Sequence, residues 1–299
     1  MMNRYCKSLK AKLCSTLFGC IFLIINAYGQ VSSSISFHSG IEGNNLKWSI
    51  AGDMSGQNPN ILSQLKFKDI TSLGTQIIGE VKIKKILLIA NAGAYRTIHG
   101  SGTDIDYSED NQQSETYNLN FQSNTGYSQN AGFSIIYNIW KASILNFYFG
   151  VSYSSRKQKY MLTSDEVSSL KSSYKAATNA FGPYLLMDFK LLKKLNLIYS
   201  ASINKLTYSA DANWNLFAIY MHPRSFAHEA TGITIKNSIQ ISRNINSFLD
   251  LVFSGTYQVD NVKEGIDKLY YNSGNIEMTQ FNGGNIRLFR LSLGCKFKL

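Results

Sequence analysis

The sequence predicts an all-β fold: a transmembrane antiparallel β-barrel of about ten strands, with long extracellular loops and short periplasmic turns. Three observations predict it. The chain opens with an export segment, its hydrophobicity then recurs with period two, and its connections alternate between short and long.

The export segment comes first. Arg4, Lys7, Lys10 and Lys12 form a basic n-region, Leu17 to Ile25 an apolar h-region, and Ala27-Tyr28-Gly29 a small-x-small cleavage site before Gln30. Residues 1–29 therefore read as a signal peptide and 30–299 as a single barrel domain. The apolar run is shorter than the roughly 20 residues that a spanning helix needs. Leu17-Phe18-Gly19-Cys20 has the outline of a lipobox, but Phe18 is too large and the apolar run continues beyond Cys20. Three of the four cysteines lie in this segment, so Cys295 stands alone in the exported chain and no internal disulfide is expected. No Cys/His grouping suggests a metal site, and no cofactor is expected.

The strands follow. Leu249, Leu251, Phe253 and Tyr257 form an apolar face against Asp250, Ser254, Thr256 and Gln258. The same alternation sets Phe147, Phe149, Val151 and Tyr153 against Tyr148, Gly150, Ser152 and Ser154, and it returns through 233–242. The final strand places Leu291, Leu293, Cys295, Phe297 and Leu299 opposite Arg290, Ser292, Gly294, Lys296 and Lys298. A soluble sandwich also alternates, so connection lengths decide.

Short links at Lys84-Lys85, Trp140-Lys141, Lys193-Lys194 and Asn244–Asn246 alternate with long polar stretches near 53–60, 99–116, 163–176, 211–224 and 260–283. Five long loops and four short turns give ten strands with both ends on the periplasmic side. Strands over 61–84 and 117–138 exceed the roughly 9–11 residues that cross the hydrocarbon, so their outer parts should project above the membrane. Trp48, Trp140 and Trp214 are scattered as interface anchors would be.

The formal net charge of +11 includes four cations of the export segment and leaves the remainder basic. For an exported chain this points to anionic outer-membrane lipid, such as lipopolysaccharide phosphates, rather than nucleic acid. The bacterial outer membrane is the expected location.

Ser63-Gln64-Leu65-Lys66-Phe67-Lys68 resembles a run on the second strand of the omptin family of outer-membrane proteases. Gly100-Ser101-Gly102-Thr103-Asp104-Ile105-Asp106-Tyr107 resembles that family's glycine-rich second loop and its Asp-x-Asp motif. Gly150 to Arg156 is similar to its fifth-strand segment. The resemblance is dense between about 61 and 110 and thin after 160.

The resemblance implies a ten-stranded barrel with a cleft at its outer mouth, where an aspartate pair and an Asp-x-His pair hold a water for peptide hydrolysis. It assigns the aspartate pair to Asp104 and Asp106, and lipid contacts to Tyr153 and Arg156; Arg156, Lys157 and Lys159 also form a basic run that suits lipid A phosphates or, equally, a solvated rim. In the expected second half, Asp211 is followed two residues later by Asn213, which cannot take a proton near neutral pH. His222 and His228 follow in the same region as candidate replacements.

The expectation is an omptin-like surface binding or structural protein without the complete protease site. The alternative is an endopeptidase that uses Asp104, Asp106 and a loop histidine on a peptide or protein substrate. A narrow solute channel is a third reading, disfavoured because a ten-stranded barrel is largely filled by its own side chains. A solvated acidic loop accounts for Asp104 and Asp106 just as simply, since Glu109, Asp110 and Glu115 follow.

Overall fold

A computed structural model describes residues 31–299. The expected export segment, with Cys6, Cys14 and Cys20, lies outside the described residues. Eleven antiparallel strands follow in chain order: β1 (Val31–Ile50), β2 (Ser63–Ile83), β3 (Ile86–Glu109), β4 (Gln113–Gln122), β5 (Gly126–Lys141), β6 (Leu145–Leu162), β7 (Ser172–Leu192), β8 (Leu195–Asn213), β9 (Phe226–Asn244), β10 (Leu249–Tyr270) and β11 (Ile276–Lys298). Each strand pairs with its neighbours except β4, which pairs with β3 and otherwise makes a single bridge from Gln122 to Thr163; β1 closes on β11 and β2 joins β3, so the sheet is a ring without a lipid-facing edge.

The ring has ten positions because β4 and β5 share one. β4 pairs with the outer half of β3 through Ser101–Glu109, and β5 with its inner half through Ile86–Arg96. The expected single strand over 117–138 is therefore interrupted at 123–125.

The short turns lie at 84–85 and 193–194 as expected, while the other two are displaced along the chain, to 142–144 because β5 runs through Trp140 and Lys141, and to 245–248 because β9 includes Asn244. Two expected loops do not. The stretches 99–116 and 260–283 are mostly strand, with β3 and β4 joined through a short 3-10 turn at Asp110–Gln112 and β10 and β11 through residues 271–275. Above the hydrocarbon the outward face becomes polar while the backbone ladder continues, so composition alone resembles a loop.

Side-chain alternation divides the barrel into two storeys. In the lower one the outward face is apolar: Phe37, Ile41, Leu73, Ile77, Phe133, Ile135, Phe149, Val151, Ile239, Leu251, Phe253 and Leu293 are exposed. The lumen at the same height is polar, with Ser36, His38, Glu42, Ser134, Ser152, Asn204, Ser292 and Arg290 buried. This is the inversion that a lipid-facing barrel requires.

In the upper storey the pattern reverses. Lys47, Lys68, Lys175 and Glu229 face outward, while Leu46, Trp48, Leu65, Phe67, Phe121, Tyr160, Tyr174, Leu206, Tyr208 and Phe281 fill the interior. Phe67 stacks on Tyr160 at 4.5 Å between ring centroids, and Tyr208 on Phe281 at 5.9 Å. This aromatic plug closes the lumen from outside. Trp48 belongs to it and Trp214 borders it, so neither is an interface anchor; Trp140, 56% exposed at the end of β5, is placed as one.

Gly102 serves the plug directly. A Cβ there would lie 2.3 Å from the Phe121 ring, so the absence of a side chain lets Phe121 lie across β3. The glycine-rich run before Asp104 thus has a packing role.

Candidate functional site

A cleft of about 390 Å³ opens above the plug. Ile50, Leu62, Ser63, Asp104, Asp106 and Thr116 line one side, and Asp267, Leu269, Glu277 and Thr279 the other. Trp214, Phe217 and Tyr220 of the 214–225 connection complete the wall, and Trp48, Phe226 and His228 form the floor. Every ionisable lining group other than His228 and the tyrosines is a carboxylic acid: Asp104, Asp106, Asp267 and Glu277.

Asp104 and Asp106 reach the cleft because β3 continues as a strand where a loop was expected. Leu65 lies opposite Asp104 and Ser63 opposite Asp106 on β2. Asp104 is only 4% exposed. Burial first, and then the adjacent Asp106 carboxylate, push its pKa up to about 8, against a hydrogen bond from Trp214. Asp106 is also shifted upward, by burial, and accepts a hydrogen bond from Ser63. Near neutral pH Asp104 is mostly protonated. A solvated acidic loop is thus not what this pair forms.

His228 occupies the floor on β9. Its ring stacks on Phe281 at 4.4 Å and meets Trp48 edge-on at 4.6 Å. Its Nδ1 lies 2.9 Å from the Tyr174 hydroxyl, which is 2.5 Å from that of Tyr208. On its other side, Nε2 lies 3.1 Å from Asp267 Oδ1, close enough for an ion pair but out of line for a hydrogen bond. Thr279 donates to the other Asp267 oxygen at 3.2 Å. The barrel register makes this pairing, since His228 and Asp267 are direct cross-strand partners.

The remaining candidates lie elsewhere. Asp211 is exposed and paired with Arg224 at 2.6 Å on the outer flank, so it does not join Asp104 and Asp106. His222 lies on the exposed connection, with Nδ1 2.7 Å from the Asn213 side-chain oxygen. Of the two candidate histidines, only His228 meets the aspartate pair at the cleft.

The expected lipid contacts divide likewise. Tyr153 faces outward and donates to Asn179 at 3.0 Å, and Lys157 is exposed. Arg156 points into the lumen, where it pairs with Asp260 at 2.5 Å, so its guanidinium does not reach the lipid face. Strand alternation separates it from its neighbours on either side.

Asp267, Thr279, Tyr174 and Glu277 escape sequence inspection because they come from three strands and no short motif joins them. Among the described residues, no group of three or more His, Cys, Asp or Glu side chains has a metal-holding arrangement.

The family model described as Pom, Protochlamydia outer membrane protein, matches residues 36–285. No curated protein matches the sequence. Among solved structures, the outer membrane protease OmpT from Escherichia coli superposes with a TM-score of 0.68 at 11% identity, covering 90% of this chain and 97% of that one. A major outer membrane protein from Thermus thermophilus gives a TM-score of 0.38 at 10% identity, covering 90% and 100%. At 11% identity the first likeness concerns the fold.

Proposed function

Since the chain belongs to the Protochlamydia outer membrane protein family and is a β-barrel of the bacterial outer membrane, we propose that it is a surface receptor whose outer cleft binds a cationic segment of a peptide or protein. One observation carries this reading: four carboxylic acids and a set of aromatic side chains line a cleft that, among the described residues, contains no lysine or arginine. A lysine or arginine side chain suits such a site, because its stem packs on Trp214, Phe217 and Tyr220 while its charge meets Asp106, Asp267 and Glu277. The aromatic plug below disfavours passage of solutes.

A second reading, endopeptidase activity, is favoured by one specific feature: Asp104 and Asp106 share the cleft with the His228–Asp267 pair. In this reading a water between the two pairs attacks the peptide carbonyl and passes its proton to Asp106 or His228, while protonated Asp104 donates a hydrogen bond to the developing oxyanion. The enclosure of His228 between Phe281 and Trp48, with Tyr174 on Nδ1, weighs against it as an open base. Binding is therefore the primary reading. Outer-membrane lipid, including lipopolysaccharide, remains the expected partner of the barrel wall, with Tyr153 and Lys157 on its outward side.

The two readings separate in one assay. The chain 30–299 is refolded in detergent with lipopolysaccharide and incubated with peptides containing dibasic sites, beside an Asp104→Ala/Asp106→Ala variant. The receptor reading expects retention of the peptides uncut. Cleavage by the parent that the variant lacks selects the endopeptidase, and neither retention nor cleavage removes both.

A further inference from the structure

The lower lumen contains a second site, unrelated to the cleft. A cavity of about 90 Å³ lies beneath the plug and is lined by Arg156, Lys236 and Arg290 together with uncharged Asn130, Asn204 and Gln258 among others. Among the described residues three cations face it and no carboxylate does.

The nearby acids are already engaged. Asp260, fully buried, accepts from Thr234 at 2.9 Å, from Gln258 at 2.8 Å and from Arg156 Nη2 at 2.5 Å. Glu42 is held by Arg290, whose guanidinium lies over the Tyr95 ring at 4.5 Å. Lys236 sits one rung below Thr234 on β9, opposite Gln258 and Ser202, and makes no ion pair among the described residues. Arg156, itself only 6% exposed, keeps Nε and Nη1 buried without a partner. Three cations against two acids leave an uncompensated positive charge where desolvation is costly.

We propose that the closed lumen binds a small inorganic anion, chloride in the native setting, between the Lys236 ammonium and the free guanidinium edge of Arg156. The cavity has room for one halide with waters of residual hydration. A second cavity of about 120 Å³ shares Lys236 and Arg290 and continues to Glu80 and Gln76 near the periplasmic end. The plug blocks the opposite direction, so the ion enters from the periplasm.

Bromide is the probe. Crystals of the refolded chain 30–299 grown in sodium bromide are expected to show an anomalous peak within hydrogen-bonding distance of Lys236 Nζ, and Lys236→Met to lose it. In solution the parent's thermal midpoint is expected to stand about 2–4 °C higher in sodium chloride than in sodium gluconate of equal ionic strength. Folding of the variant is checked by its faster migration when unheated; if Lys236→Met does not fold, Lys236→Gln and the parent's two-salt comparison carry the test. Water alone in the cavity, or a bromide peak without any chloride dependence in solution, overturns the proposal.

Discussion

Asp267 on β10 stands directly opposite His228 on β9, with Oδ1 3.1 Å from Nε2, although 38 residues separate them in the chain. Asp267 also holds Thr279, so it ties three neighbouring positions of the upper storey together. Replacing Asp267 with Ala leaves His228 Nε2 and Thr279 Oγ1 without this partner. The expected cost is about 1–3 kcal/mol, measured by urea unfolding in detergent micelles.

Asp104 sets a pH dependence with a definite sign. Its folded-state pKa, about 8, lies above its ordinary value of 3.8, so the folded state holds the proton more tightly than the unfolded state does. The contribution of Asp104 to stability is therefore fully present below about pH 4 and is lost as pH rises through about 8. Asp104→Asn removes this decline. Unfolding midpoints at pH 5 and pH 9 should differ for the parent and lie closer together in the variant.

The Glu42–Arg290 pair is buried in the membrane-spanning storey, where an unpaired charge has little solvent to rely on. Arg290→Met should destabilise the barrel by about 3–5 kcal/mol, and Glu42→Gln in the same chain should recover a large part of the loss. A double-mutant cycle by urea unfolding measures both effects.

The plug accounts for a closed lumen. Phe281 packs on His228 and Tyr208, and Phe67 on Tyr160 and Phe121. Truncating Phe281 to Ala should cost about 3–5 kcal/mol. The Phe67→Ala/Phe281→Ala double variant should conduct ions in planar bilayers where the parent is silent.

The lower storey was legible in the sequence because two environments impose opposite polarities on alternate residues, as Leu251 and Phe253 show against Asp250 and Ser254. The upper storey was not. Its outward face is polar and its inward face aromatic, with glycines at contacts such as Gly102 against Phe121, so 99–116 and 260–283 resembled loops. Asp104 and Asp106 could be found because they share one short motif. Asp211 stands where the resemblance expects the second pair, but it lies on the outer flank against Arg224, whereas the partner of His228 comes from the next strand in the ring.

The central claim is that the outer cleft recognises a cationic side chain. Calorimetric titration of a dilysine peptide into the refolded barrel, beside the same peptide with norleucine in place of lysine, tests it most directly. Saturable binding of the dilysine peptide is expected, with a loss of at least tenfold for the norleucine peptide and for the Asp106→Asn/Glu277→Gln variant, a factor of ten being about 1.4 kcal/mol. Equal affinity for the two peptides, or binding unaffected by loss of the two carboxylates, would contradict the account.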